Sequence, residues 1–74
     1  MKPYLTAFFD NYGWQQLSAF DNSNDRDIFV KFLKDLGGWP YYDWYQVPSH
    51  DAITEAVKRA KAMGGDVFNL PKHP

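Results

Sequence analysis

Apolar and polar positions along this chain follow two rhythms, and the switches between them mark its elements. Residues 2–9 are rich in aromatic and β-favouring types and run into Asp10-Asn11-Tyr12-Gly13, which has the turn chemistry of a hairpin loop. Residues 14–20 then alternate, with Leu17 and Ala19 on one side and Gln16 and Ser18 on the other. The pattern predicts an antiparallel hairpin built from strands 3–9 and 14–20.

After the polar break Asp21-Asn22-Ser23-Asn24, a store of helix-capping residues, the rhythm lengthens. Ile28, Phe29, Phe32, Leu33 and Leu36 form one helical stripe. Asp25 and Asp27 lie where a helix dipole favours acids, Asp27 and Lys31 have the spacing of an i,i+4 pair, and Gly37-Gly38 ends the segment. This predicts a helix over 25–36. A second helix is expected over 50–63, capped by Ser49, with Asp51 in its first turn. Its stripe is Ile53, Ala56, Val57, Ala60 and Met63, and Gly64-Gly65 is its stop. Of the two stripes, Phe29, Phe32, Leu33, Ile53, Val57 and Ala60 are the predicted core.

Between the helices, 39–47 (Trp-Pro-Tyr-Tyr-Asp-Trp-Tyr-Gln-Val) reads as a third strand, with Pro40 placing its start at an edge or just outside the sheet. Residues 66–70 read as a short final strand, and 71–74 as a frayed tail. The order β-β-α-β-α-β defines an α+β fold: a two-layer single domain, 1–74, with two helices on one face of a small mixed sheet.

Length makes the aromatic content matter. A chain of 74 residues buries only about 60% of the surface its unfolded form exposes. It has no cysteine, which excludes disulfides and thiolate zinc sites and fits a reducing cytoplasm. Three Trp, five Tyr and six Phe compensate, each removing about 150–250 Å² from water when buried. The start, Met1-Lys2-Pro3-Tyr4, has no apolar core of a secretory signal, and no run is long enough to cross a membrane. The net charge of −1 argues against nucleic acid as a direct ligand. Seven acids and four bases precede residue 52, and two acids and four bases follow, a modest asymmetry.

Candidate chemistry is sparse. Ser49 and His50 are adjacent, whereas a nucleophile and its base converge from different elements. Capping explains Ser49, and the helix dipole explains Asp51. A metal site at His50-Asp51 would need further ligands, and the other histidine, His73, lies in the tail. Asp10 and Asp21 sit in loops, where turn chemistry accounts for them. None of His50, His73, Asp10, Asp21 and Asp51 is expected to pair in a pocket. No catalytic residue, metal or cofactor is therefore assigned, and the chain reads as a non-enzyme. Lys58, Arg59 and Lys61 form the one basic cluster, a candidate contact for phosphate or an acidic partner, or simply a solvated helix end.

The aromatic segment fits least well with a purely structural role. As one strand, its faces carry Trp39, Tyr41, Asp43, Tyr45 and Val47 on one side and Tyr42, Trp44 and Gln46 on the other. The first set is the better core candidate, which turns Tyr42 and Trp44 outward. Tyr and Trp combine apolar area with a polar tip, as binding hot spots do. The expected contact surface is Tyr41, Tyr42, Trp44 and Tyr45 with Asp43 as a polar anchor, extended by Tyr12 and Trp14. The expected function is a protein-binding module with a host protein complex as partner and a second copy of the chain as a further candidate. Small, cysteine-free, aromatic-rich chains are common among phage and mobile-element inhibitors of host defence, anti-CRISPR proteins included, which ranks an inhibitor first by type alone. The alternative is a nucleic-acid-associated accessory protein using Lys58, Arg59 and Lys61.

Overall fold

A computed structural model describes residues 2–71; the tail from Lys72 on, with His73, lies outside the described residues. The chain runs β1 (Tyr4–Phe9), β2 (Gln15–Phe20), α1 (Ser23–Asp35), β3 (Trp39–Tyr41), β4 (Trp44–Gln46), α2 (His50–Ala62) and β5 (Asp66–Leu70). The five strands form one mixed sheet in the order β3-β4-β1-β2-β5. β1 and β2 are the expected antiparallel hairpin, β4 runs parallel to β1, and β5 runs antiparallel to β2. Both helices pack on one face, so the α+β two-layer class holds.

One element differs from expectation. Residues 39–47 are not a continuous strand but a hairpin, with Tyr41 paired to Trp44 and Trp39 to Gln46 across a two-residue turn at Tyr42-Asp43. The turn shifts the alternation. Trp39, Tyr41, Trp44 and Gln46 now share the helix-free face, and Pro40 and Tyr45 share the other. Tyr41 is therefore outside the core rather than in it, and Tyr45 packs partly buried against the core.

Both helix ends follow from their sequence. Asn22 caps α1, its Oδ1 accepting the Asp25 N–H at 2.8 Å, and Ser49 Oγ accepts the Ala52 N–H at 3.2 Å to cap α2. Each helix ends in a Schellman turn. Gly37 and Gly64 take left-handed φ values of 86° and 79°, and Gly38 and Gly65 donate back to Leu33 and Ala60. The second glycine of each pair is required by space. A Cβ on Gly38 would lie 2.6 Å from the Leu33 carbonyl oxygen, and one on Gly65 would lie 2.7 Å from the Phe20 ring. The expected Asp27–Lys31 pair does not form; Asp27 pairs with Arg26 at 3.1 Å.

The core lies between the helices and the β1-β2 centre of the sheet. Phe29 sits on Phe8 and Phe20, with ring centroids 5.6 and 5.2 Å away, and Leu33, Val47 and Ile53 close around them. Ala52, Ala56 and Ala60 are buried one turn apart, so α2 presents a small-residue stripe to the layer beneath. Phe29, Leu33, Ile53 and Ala60 are core as expected. Phe32 and Val57 are only half-buried: Phe32 lies at the rim, with the Arg59 guanidinium 4.9 Å from its ring centre.

The sheet's two faces carry an unexpected division. Thr6, Phe8, Gln16, Ser18 and Phe20 are buried beneath the helices. The hydroxyls of Thr6 and Ser18, cross-strand partners, have no hydrogen-bond partner, nor has Gln16 Oε1. The opposite face, which no helix covers, carries Leu5, Ala7 and Phe9 from β1, Leu17 and Ala19 from β2, and Phe68 from β5, beside the hairpin aromatics.

Candidate functional site

Asp10 organises the site. Its side chain, 1% exposed, closes the β1-β2 turn: Oδ1 accepts the N–H groups of Tyr12 at 2.9 Å and Trp14 at 3.1 Å. The fold of that turn sends Tyr12 and Trp14 outward. Asp10 Oδ2 faces His50 Nδ1 at 3.4 Å, and Trp14 lies against the His50 ring at 5.6 Å. The turn is thereby tied to the first residue of α2. Asp10 and His50 thus come together as a pair, with His50 exposed and outside the lining of the groove. Ser49, beside His50, accepts the Ala52 N–H at its Oγ as the helix cap.

The β3-β4 hairpin forms the other wall. Phe9 sits between them, with the Tyr41 ring 5.8 Å away at 73° and the Trp44 ring 6.1 Å away at 71°. Tyr42 stands edge-on to Tyr41, with centroids 4.9 Å apart at 86°. The amide of Gln46 donates to Asn11 Oδ1 and links the walls. Between them lies an open groove of about 870 Å³, bounded on the first side by Phe9, Asp10, Tyr12 and Gln15 and on the second by Tyr41, Tyr42, Asp43 and Trp44.

Tyr42 is the exceptional residue. It leads the hairpin turn at φ 54°, the only non-glycine with positive φ among the described residues, and its side chain is 90% exposed. That backbone region is disfavoured for bulky residues, and the first position of such a turn ordinarily takes Gly or Asn.

Of the expected contact residues, Tyr12, Tyr41, Tyr42, Asp43 and Trp44 gather around this groove. Tyr45 is turned to the helix side, because the hairpin shifts the alternation after residue 41. Trp14 is placed against His50 beside the groove. The basic cluster is elsewhere, on α2: Lys58 pairs with Glu55 at 3.8 Å, Arg59 covers Phe32, and Lys61 is exposed. Sequence reasoning missed Phe9 as the floor of the groove and Asp10 as its organiser. The Asp-x-x-Gly turn signal was present, but only burial distinguishes a surface turn carboxylate from this one.

Among the described residues no group of three or more His, Asp or Glu side chains is placed to hold a metal ion, and no helix is long and apolar enough to cross a membrane. Comparison with protein-family models, curated proteins and solved structures finds no match.

Proposed function

We propose that this protein is a non-enzymatic protein-binding module that contacts its partner through the aromatic groove and the Tyr42 turn. The reading rests above all on Tyr42. A bulky side chain at positive φ costs roughly 1–2 kcal/mol, and a ring left 90% in water gains no burial. Its one ring contact, edge-on to Tyr41, leaves the ring almost wholly in water, and an observed backbone outlier at a surface aromatic motivates a contact role. The rings around it, braced edge-to-face on one another, offer a pre-ordered surface of the kind that dominates interface energetics. A cysteine-free chain suits action in the cytoplasm, and blocking a larger host complex is the role its type favours.

The test is affinity capture from native cells with the wild type and with Tyr42→Asn. Asn tolerates the left-handed conformation, so the fold is kept while the ring is lost. The reading expects a discrete partner that the variant loses with no fall in melting temperature. Equal recovery by both proteins contradicts it.

A further inference from the structure

We infer that the groove takes a proline-rich segment in polyproline II conformation, flanked by a basic residue; the inference rests on the protein-binding reading above and names its ligand. The argument is one of chemical complement. A polyproline II segment makes no internal hydrogen bonds, so its carbonyls need donors while its prolines have no N–H to give. Its pyrrolidine rings need flat apolar slots.

The groove supplies both. Phe9, Tyr41, Tyr42 and Trp44 meet neighbours edge-to-face at 71–86°, so the groove is lined by ring faces set at angles to one another rather than by one stacked plane. The hydroxyls of Tyr12, Tyr41 and Tyr42 and the indole N–H of Trp44 are donors, and among the described residues none makes a hydrogen bond within the chain. The charge is one-sided. Asp10 and Asp43 line the groove, and among the described residues no Lys or Arg does. Asp10 is buried against His50, which leaves exposed Asp43 to face a cation.

Other occupants fit less well. Strand addition at β3 meets a three-residue edge in which Pro40 has no N–H. A second copy that met this groove with its own would bring two acid-lined surfaces together, with no Lys or Arg among the described lining residues to offset them.

The test titrates three synthetic peptides against the full chain by calorimetry: one with two Pro-x-x-Pro units followed by Arg, the same with Glu for Arg, and the same with every Pro replaced by Ala. The proposal expects saturable micromolar binding of the Arg peptide, at least fivefold weaker binding of the Glu peptide and none of the Ala peptide. Tyr42→Asn should weaken the Arg peptide at least tenfold, and Asp43→Lys should reverse the Arg-over-Glu preference. Absence of binding by the Pro peptides, equal binding of the Ala peptide, an affinity indifferent to Tyr42→Asn, a charge preference unmoved by Asp43→Lys, or a dimer that blocks the groove each overturns it. If the peptides fail while Tyr42→Asn still loses its captured partner, the proline-rich ligand falls and the protein-binding reading stands. If both fail, both fall.

Discussion

Tyr42 and Ser18 both carry costs that the fold does not explain, and the two differ in kind. Tyr42 combines disfavoured backbone with an exposed ring. Replacing it with Asn should leave the denaturation midpoint unchanged or raise stability by up to about 1 kcal/mol, since Asn adopts left-handed φ more readily. A loss of more than about 1 kcal/mol in urea melts would show that the ring supports the fold and is not held for a partner. Ser18 is the opposite case. It is fully buried under the helices, with an unpartnered hydroxyl. Deleting a buried hydroxyl that has no partner removes a desolvation penalty, so Ser18→Ala should stabilise by about 1 kcal/mol. A destabilised variant would mean that the hydroxyl is satisfied in solution.

At the scale of elements, turn chemistry decides more than apolar pattern. The capped helices were legible because Ser49, Gly37-Gly38 and Gly64-Gly65 act locally. Segment 39–47 was not, because the residues at its turn, Tyr42 and Asp43, are not the Asn-Gly or Gly-x of a two-residue hairpin. An aromatic run read as one strand gave Tyr41 to the core and Trp44 to solvent, whereas the two are cross-strand partners on the same face. Gly38, the residue before the hairpin, passes close under the end of α1. Gly38→Ala should cost about 1–3 kcal/mol, because the atom in the way is the Leu33 backbone carbonyl and cannot swing aside. An unaltered thermal melt would mean that the α1-β3 junction shifts at no cost.

For the whole molecule, stability rests on one small aromatic centre. Phe29, fully buried between Phe8 and Phe20, should cost about 3–5 kcal/mol when changed to Ala, a large share of what a domain this size has. Phe32, predicted from its stripe to be core, is half-buried under Arg59, and Phe32→Ala should cost less, about 1–3 kcal/mol. Equal losses in parallel melts would refute this ranking.

Alternation in β2 set Leu17 and Ala19 apart from Gln16 and Ser18, but it could not say which set the helices cover. The helices cover the more polar set, and the apolar set shares the open face with the hairpin aromatics. The candidate site was thus legible as a list of aromatic residues. Its geometry was not, because the groove depends on a buried turn carboxylate and on pairing between distant strands.

The central claim is that the Tyr42 side of the molecule meets a protein partner. Site-specific photocrosslinking in native cells tests it most directly, with a photoreactive phenylalanine at position 42 and, as a control, at exposed Thr54 on α2. The account predicts a discrete crosslinked protein from position 42 and none from position 54. No discrete product at 42, or the same product at both positions, would contradict it.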